Sequence, residues 1–167
     1  MAATFSCGDA DLDEFLRDDA LRLDVARAAR TWLAFYDGAL VGYITLLCDA
    51  IVLETRERKG LTLRHEDHPV IPALKVARLG VSETFRAAHR GVGEALMQFA
   101  FATGLSLSAR VGCRLLTLDA YAQSVAFYER LGFVRNRAKE YRERQNPSMR
   151  FDLYATALPP WVTGQAF

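Results

Sequence analysis

The segment spanning residues 73–120 constrains the fold more than any other part of this sequence. It contains an apolar, strand-like run at 73–81, a long helical run at 91–109 and a second strand-like run at 114–120. Two strands joined through a helix of this length are expected to lie parallel in one sheet, because the helix carries the chain back to where it started. The sequence therefore predicts a βαβ unit at the centre of the protein.

The N-terminal half adds antiparallel strands to this unit. Two β-rich runs, residues 31–36 and 40–47, are separated by an Asp-Gly pair at 37–38. This pair favours the tight turn of a hairpin. Residues 51–53 are apolar and extend the second run. The expected fold is α/β, with a mixed, mostly antiparallel sheet around the central parallel unit.

The segments around these strands give a weaker pattern. Residues 8–30 carry apolar side chains at helical spacing, and Asp9 or Asp11 can cap the start of that helix. Residues 54–69 are charged and loop-like, and residues 82–90 form a polar turn. We therefore expect one N-terminal helix and two connecting loops in this part of the chain.

The C-terminal part begins with a short helix. Residues 123–131 are helical, and Gly132 is placed to end that helix in a left-handed conformation. Residues 133–150 are basic and polar, and residues 151–154 form the last predicted strand. These elements extend the sheet beyond the βαβ unit.

The length and charge of the chain limit what it can be. Its 167 residues predict a single domain, and 51% of them are hydrophobic, enough for a substantial core. The 21 basic and 20 acidic residues leave a formal charge of +1. This balance argues against a protein that binds nucleic acid mainly through its overall charge, although a local basic patch remains compatible with it.

Cysteine usage and the N-terminus indicate a cytoplasmic protein without a membrane segment. Cys7, Cys48 and Cys113 are widely spaced and form neither a disulfide framework nor a CxxC pattern. The first nine residues lack a basic n-region followed by an apolar stretch. His65 and His68 could ligate a metal, but two histidines in a charged loop are usually solvated, so no metal site is predicted.

A loop with two glycines joins the first strand of the βαβ unit to its helix. Gly91 and Gly93 open the helix, and His89 and Arg90 precede them. Glycines at this place let backbone N–H groups approach an anion closely, and the helix N-terminus adds partial positive charge. The loop indicates a phosphate-binding site, although the same glycines would also serve a simple tight turn.

A second motif, Phe-Tyr-Glu-Arg-Leu-Gly-Phe at residues 127–133, follows after one more strand. Together the two motifs resemble the GNAT superfamily of acyl-CoA N-acyltransferases. The glycine loop of that family reads Gln/Arg-x-x-Gly-x-Gly/Ala, and its later helix reads Phe-Tyr-x-x-x-Gly-Phe. The order, the spacing and the intervening strand match over residues 31–154.

This resemblance implies an N-acetyltransferase with acetyl-CoA as co-substrate and two strands, 77–81 and 115–120, that splay apart at the cofactor. It implies Tyr128 as the catalytic residue, whose hydroxyl would stabilise or protonate the leaving thiolate. Without the glycine loop, Tyr128 would simply be a core aromatic. Cofactor contacts are implied in strand, loop and later helix at Leu79, Gly80, Val81, His89, Arg90, Gly91, Val92, Gly93, Glu94, Ala95 and Ser124.

Two positions depart from the family pattern. Ala88 stands where the family has Gln or Arg at the head of the loop, and Arg86 or Arg90 would compensate. Tyr121 stands where an asparagine often precedes the tyrosine helix. Each departure removes one side-chain contact to the cofactor and leaves the backbone cradle intact.

The sequence does not identify a general base. Glu54, Glu83 and Asp119 are candidates, and each also has a structural explanation. An alkyl amine with a pKa near ~10 is almost fully protonated at neutral pH, whereas an α-amino group titrates near about 8. A substrate with an α-amino group would therefore need little help from a base.

The opening residues 5–16 resemble a GNAT branch that includes bacterial toxins acetylating aminoacyl-tRNA. That resemblance offers aminoacyl-tRNA as an acceptor, beside a small molecule or a protein. Five basic residues could meet its phosphates, or form an ordinary solvated surface, namely Arg135, Arg137, Lys139, Arg142 and Arg144. Two other hypotheses stay open: a CoA-binding sensor without catalysis, and a homodimer contacted by the tail at residues 159–161.

Overall fold

We describe a computed structural model of the chain for residues 5–61, 70–88, 91–155 and 157–163. The helices of these residues are α1 (Ala10–Glu14), α2 (Ala20–Val25), α3 (Thr55–Gly60), α4 (Glu83–Ala88), α5 (Val92–Ser108), α6 (Val125–Arg130), α7 (Lys139–Arg142) and α8 (Pro160–Thr163), with a π-helical turn at Phe15–Asp19 and a 3₁₀ turn at Ala122–Ser124. The strands are β1 (Arg30–Tyr36), β2 (Ala39–Val52), β3 (Val70–Val81), β4 (Leu115–Asp119), β5 (Val134–Arg135) and β6 (Ser148–Asp152).

These strands form one six-stranded sheet in the order β1-β2-β3-β4-β6-β5. Strands β3 and β4 run parallel, with Ala73 opposite Leu115, and α5 connects them. The pairs β1–β2, β4–β6 and β5–β6 are antiparallel. The predicted α/β fold, with a mixed, mostly antiparallel sheet around one parallel βαβ unit, is thus confirmed.

The hairpin between β1 and β2 has the predicted turn. Asp37 and Gly38 both have positive φ angles, 47° and 75°. Such angles at two central residues match the turn that follows the right-handed twist of paired strands. Strand β2 continues to Val52, so Ile51 and Val52 of the predicted apolar extension belong to the sheet, whereas Leu53 follows its end.

Two segments predicted as loops contain helices, which corrects the sequence-based assignment. Helix α3 begins at a capping box, in which the Glu54 N–H donates to Oε2 of Glu57 at 3.0 Å. Helix α4 follows Ser82, whose carbonyl accepts hydrogen bonds from the N–H groups of Phe85 and Arg86. Each helix has only six residues, too few to show an apolar periodicity, so a periodicity argument misses them.

The last strand also differs from the prediction, because β6 begins at Ser148 rather than at residue 151. Its register with β4 places Ser148 opposite Asp119 and Asp152 opposite Leu115. Arg150 in the middle of β6 is only 9% exposed and is paired with a buried glutamate. A buried arginine breaks the apolar pattern by which a strand is recognised in a sequence.

The chain divides into two compact units. The first contains the N-terminal part through Leu47 together with Val76–Ala100, and the second contains Cys48–Lys75 together with Phe101–Ala166. The expectation of one domain across residues 1–167 stays a prediction. Within the described residues, no helix is both long enough and apolar enough to span a bilayer.

The core of the first unit is organised around Tyr43, which is completely buried. Its ring packs edge-on against Phe5 and stacks on Phe15, and its hydroxyl donates to the carbonyl of Leu12 at 2.8 Å. The predicted cap is Asp9, whose Oδ1 accepts from the Leu12 N–H at 3.2 Å. These contacts fix the N-terminal helices to the sheet of this unit.

The second unit has an aromatic core formed by Phe101, Phe133, Phe151 and Trp161. Phe151 lies 5.4 Å from Phe133 and 5.5 Å from Trp161, measured between ring centroids. The indole N–H of Trp161 donates to the carbonyl of Leu131 at 2.7 Å. Trp161, offered by the sequence as a contact for a second subunit, is therefore packed inside its own chain.

Candidate functional site

Helix α5 begins directly after Gly91, in the first unit. Gly91 has φ +107°, a backbone conformation that residues other than glycine rarely adopt. Its carbonyl accepts from the Ala95 N–H at 2.8 Å, which closes the first turn of the helix. The first N–H groups of a helix have no acceptor within that helix. The helix start can therefore present N–H groups and partial positive charge to an anion.

Two glycines of the sheet allow close packing around this helix start. A Cβ added to Gly42 would lie 2.8 Å from the carbonyl oxygen of Gly80 and 3.2 Å from the side chains of Val92 and Leu96. A Cβ added to Gly80 would lie 2.4 Å from the ring of Tyr43. Close packing that only glycine permits thus brings the first turn of α5 against β2 at Gly42, and β3 against the Tyr43 ring of β2 at Gly80.

The predicted cofactor residues of this region share the first unit. Leu79, Gly80 and Val81 are the last three residues of β3, and residues 91–95 open α5. Glu94 places a carboxylate in the first turn of α5, where it would disfavour a second anion. His89 and Arg90, predicted beside the loop, lie outside the described residues. We call residues 79–81 and 91–95 the glycine-loop region.

Arg86, one of the two arginines predicted to compensate for Ala88, makes other contacts. Its Nη2 donates to the carbonyl of Cys7 and, at 3.1 Å, to the carbonyl of Val81. It thereby ties the N-terminal segment to the end of β3. This structural role leaves Arg90, which lies outside the described residues, as the predicted compensating side chain.

Tyr128 lies on α6 in the second unit, within an aromatic environment. Its ring is 5.0 Å from Phe127 and 5.8 Å from Phe133, measured between centroids, and the residue is 8% exposed. Burial raises the pKa of the Tyr128 hydroxyl to about 12. The phenol is therefore neutral at physiological pH, and it can donate a hydrogen bond or a proton.

The end of α6 has the backbone pattern predicted from Gly132. The N–H of Phe133 donates to the carbonyl of Tyr128 at 3.0 Å, and the N–H of Gly132 donates to Glu129 at 3.0 Å. With φ +87° at Gly132, these bonds form a Schellman motif. Ser124, the last predicted cofactor residue, is half-buried immediately before α6. The motif fixes the helix from which Tyr128 projects.

The glycine-loop region belongs to the first unit, and Tyr128 and Ser124 belong to the second. That they form one site, with β3 and β4 splayed around a cofactor, stays a prediction. The pairing of the parallel strands covers Ala73–Lys75 of β3 and ends at Thr117 of β4.

Two of the three carboxylates proposed as a general base are engaged in ion pairs. Glu54 pairs with Arg142 at 2.6 Å. Asp119 pairs with Lys75 at 2.7 Å and with Arg144 at 3.3 Å. The carboxylate of Glu83 packs against Gly8, so closely that a Cβ added to Gly8 would lie 2.6 Å from it. The ion pairs favour a structural role for Glu54 and Asp119.

The second unit contains a cleft of about 1050 Å³ that the sequence did not predict. It lies against α3, α7 and the strands β5 and β6, and we call it the arginine cleft. Six arginines line it, namely Arg56, Arg135, Arg137, Arg142, Arg144 and Arg150. Four of them belong to the basic run that the sequence suggested. Of the other two, Arg56 comes from α3 and Arg150 from β6. Lys139 of the predicted run does not line the cleft.

The floor of the cleft is a buried ion pair. Arg150 donates to Oε1 of Glu57 at 2.6 Å and to Oδ1 of Asn136 at 2.9 Å. The side chains of Arg150 and Glu57 are only 11% and 4% exposed. The same Glu57 oxygen accepts from the Arg137 N–H at 3.1 Å. Glu57 therefore connects α3 to β6 and to the segment after β5.

No group of three or more His, Cys, Asp or Glu side chains that could hold a metal occurs within the part of the chain that the structure describes. His65 and His68 lie outside it.

Comparison with known proteins identifies the family. A family model described as an acetyltransferase (GNAT) domain matches residues 27–135. A tRNA-acetylating toxin of Mycobacterium tuberculosis (strain ATCC 25618 / H37Rv) is 28% identical over 131 residues, which cover 78% of this chain and 76% of the toxin.

Solved structures of toxins share the fold. AtaT complexed with acetyl-methionyl-tRNAfMet has a TM-score of 0.76 and 22% identity, over 91% of this chain and 87% of that one. AtaTR bound with AcCoA has a TM-score of 0.72 and 21% identity, over 92% of this chain and 87% of that one. At these identities the structural matches establish the fold.

Proposed function

Because the chain belongs to the GNAT acetyltransferase family, we propose that it transfers the acetyl group of acetyl-CoA to the α-amino group of an aminoacyl-tRNA. Family membership makes it an acyl-CoA-dependent N-acetyltransferase, and the acceptor is our proposal. The observation that carries the proposal is the match to a tRNA-acetylating toxin over 78% of the chain. Since aminoacyl-tRNA is used in the cytoplasm, we place the protein there.

The glycine-loop region supports binding of the donor. Acetyl-CoA supplies an activated thioester and carries a pyrophosphate. The N–H groups at the start of α5, at Val92 and Gly93, suit that pyrophosphate, because the first N–H groups of a helix lack acceptors within it. Gly91, with φ +107°, gives the backbone a path that residues with a Cβ rarely follow. The end of β3, at Leu79–Val81, would add backbone hydrogen bonds to the extended arm.

Tyr128 supports the chemical step. A leaving thiolate needs a hydrogen bond or a proton, and a phenol that stays protonated supplies either. The pKa of Tyr128, raised to about 12 by burial, keeps its proton in place through the physiological range. The Schellman motif after α6 and the ring contacts with Phe127 and Phe133 hold the side chain in one position.

The ion pairs of two candidate general bases in the second unit are consistent with an α-amino acceptor. Such an amine titrates near about 8, so a usable fraction is neutral without a strong base. Glu54 and Asp119 are held by basic side chains at 2.6 and 2.7 Å. Since both carboxylates are engaged in ion pairs, an acceptor that needs no strong base fits this part of the chain.

The proposal is tested by incubating the protein with acetyl-CoA and methionyl-tRNA and detecting acetyl-methionine on the RNA by mass spectrometry. We expect acetylation by the wild type, no product with deacylated tRNA, and a loss of about 10²-fold or more in Tyr128→Phe. In a bacterial host, expression of the wild type should arrest growth, and Tyr128→Phe should relieve the arrest.

Other outcomes would separate the alternatives. Turnover with a peptide or a small amine but with no aminoacyl-tRNA would overturn the acceptor and retain the enzyme. Binding of acetyl-CoA without turnover on any amine would favour the sensor module. The homodimer stays a prediction that size-exclusion chromatography with light scattering would decide.

A further inference from the structure

The arginine cleft carries a local charge that the whole chain does not have. Its lining includes six arginines and three glutamates, an excess of three positive charges, whereas the complete chain has a formal charge of only +1. Glu57 and Arg150 neutralise each other in the floor. The charge that remains accessible belongs to five arginines at the rim, namely Arg56, Arg135, Arg137, Arg142 and Arg144.

Three of these rim arginines are already paired with a carboxylate. Arg142 pairs with Glu54 at 2.6 Å, and the two side chains are 62% and 39% exposed. Arg144 pairs with Asp119 at 3.3 Å. Arg135 pairs with Glu129 at 3.4 Å. Arg56 and Arg137 form no ion pair with any other residue that the structure describes.

These exposed pairs are easily exchanged. An ion pair between solvated side chains contributes little to stability, because water screens it and two long side chains must be ordered. A phosphate offers a guanidinium the same planar, two-bonded arrangement as a carboxylate. A polyanion that brings several phosphates at once also releases its counterions on binding. Phosphates can therefore replace the carboxylates without unfolding any element.

We propose that the arginine cleft binds the phosphate backbone of the acceptor RNA, and that Glu54, Glu129 and Asp119 hold three of its arginines until phosphates replace them. Arg56 and Arg137 make the first contacts, since no described carboxylate has to leave them. This inference rests on the proposed function, because it takes the RNA part of the acceptor as the ligand.

The lining of the cleft favours RNA over an acidic protein. A protein interface normally has an apolar centre surrounded by a polar rim. Here six of the sixteen lining residues are arginines, against four with apolar or aromatic side chains, Phe133, Val134, Tyr141 and Pro147. The guanidinium of Arg144 also lies 4.8 Å from the ring of Tyr141, an arrangement that prepares a planar cation for a phosphate.

The test measures the affinity for fluorescently labelled deacylated tRNA between 50 and 200 mM KCl, by anisotropy, on folded protein. The variants are Arg137→Ser, Arg142→Ser and Glu54→Gln, with Arg110→Ser as a matched control. Arg110 is exposed in the same unit, does not line the cleft and changes the charge by the same amount.

We expect Arg137→Ser and Arg142→Ser each to weaken binding by about five- to ten-fold and to lower the salt dependence by about one phosphate contact. Glu54→Gln should strengthen binding by about two- to five-fold, because it releases Arg142. Arg110→Ser should bind like the wild type. The opposite signs of Glu54→Gln and Arg142→Ser are the decisive result, since damage to the fold would weaken both.

Several results would overturn the proposal. Equal affinity of all four variants and the wild type would exclude the cleft as the RNA site, and so would weaker binding by Glu54→Gln. Displacement of the tRNA by polyglutamate at equal charge concentration would indicate an acidic protein partner instead. If the cleft variants acetylate methionyl-tRNA normally, the cleft is not the RNA-binding site and the proposed function stands. If the cleft binds tRNA but no aminoacyl-tRNA is acetylated, the failure belongs to the proposed function.

Discussion

The glycine-loop region of the first unit and the arginine cleft of the second are both suited to phosphate, but different parts of the polypeptide form them. In the glycine-loop region, we propose that backbone N–H groups at the start of α5 bind the phosphate, and the sequence contributes the absence of side chains at Gly91 and Gly93. In the arginine cleft, guanidinium groups converge from α3, α7 and the segments around β5 and β6. One region uses main chain, and the other uses side chains.

This difference predicts how each region responds to mutation. A main-chain site tolerates most substitutions of its neighbours and fails when a residue with a Cβ replaces a required glycine. A side-chain site loses affinity in small steps, because each arginine contributes separately. Buried groups such as Tyr128 and Glu57 should respond most strongly, since no solvent can replace what they provide.

The largest effect should come from Tyr128→Phe, which sharpens the comparison by removing one hydroxyl and nothing else. We expect kcat for acetyl transfer to fall by about 10²- to 10⁴-fold, because the leaving thiolate loses its proton donor. The affinity for CoA, which we assign to the glycine-loop region, should change less than about two-fold. Stopped-flow kinetics and isothermal titration would measure the two quantities.

The matched control is Tyr154→Phe, which removes a hydroxyl that is bonded to Ser108 at 2.6 Å on an exposed part of the same unit. It should leave kcat unchanged. A Tyr128→Phe enzyme with normal kcat would show that Tyr128 is only a core aromatic.

The next effect is on stability and concerns the floor of the arginine cleft. Glu57→Gln leaves Arg150 buried beside a neutral amide, and loss of one partner of a buried ion pair typically costs about 3 kcal/mol. Urea denaturation should show a decrease of this size in the free energy of unfolding. Glu129→Gln, at the exposed pair with Arg135, should cost less than about 1 kcal/mol. Similar costs for both would mean that Arg150 is not the group that holds the cleft together.

The two regions also differ in how far the sequence predicts them. The glycine loop is local: Gly91 and Gly93 are two residues apart, and the helix that follows is long enough to be recognised from its composition. The same is true of the Asp37-Gly38 turn and of the cap at Gly132, because each depends on backbone angles that few residues adopt.

The arginine cleft could not be predicted in the same way. Arg56 and Arg150 are far apart in the sequence and are brought to one cleft by the pairing of α3 with β6 through Glu57. The basic run at residues 135–144 was visible, but its glutamates suggested an ordinary solvated surface. The sequence does not show which carboxylate pairs with which arginine. Only the tertiary structure supplies this information.

A smaller effect is expected at the main-chain site. Gly91→Ala places a Cβ at φ +107°, which costs about 1–3 kcal/mol of local strain. The loop should relax away from the observed path, and the affinity for CoA should fall by about ten-fold. Isothermal titration checks the affinity, and kcat at saturating acetyl-CoA should stay within about three-fold, because Tyr128 is untouched.

Gly60→Ala is the matched control for this strain. Gly60 has no positive φ, and a Cβ there would meet no atom within 4 Å. The substitution should leave CoA binding unchanged and stabilise the protein by up to about 1 kcal/mol, since alanine restricts the unfolded chain. Equal CoA affinities of Gly91→Ala and the wild type would place the pyrophosphate elsewhere.

The smallest effect at neutral pH, and a clear one at alkaline pH, concerns the ionisation of Tyr128. Its pKa is raised to about 12 in the folded protein, above the value of 10.0 for an ordinary tyrosine. Burial of the neutral phenol therefore stabilises the folded state below pH 10, and this contribution is lost as the pH rises from 10 towards 12. In absorbance titrations at 295 nm, the difference between wild type and Tyr128→Phe should be one phenol that ionises near pH 12. Over the same range the wild type should lose stability faster than the variant, because only the wild type must ionise a buried group. If the phenol identified by this difference titrates near pH 10 instead, the Tyr128 hydroxyl is solvated in the folded protein. Water would then compete with the thiolate for the hydrogen bond of this hydroxyl.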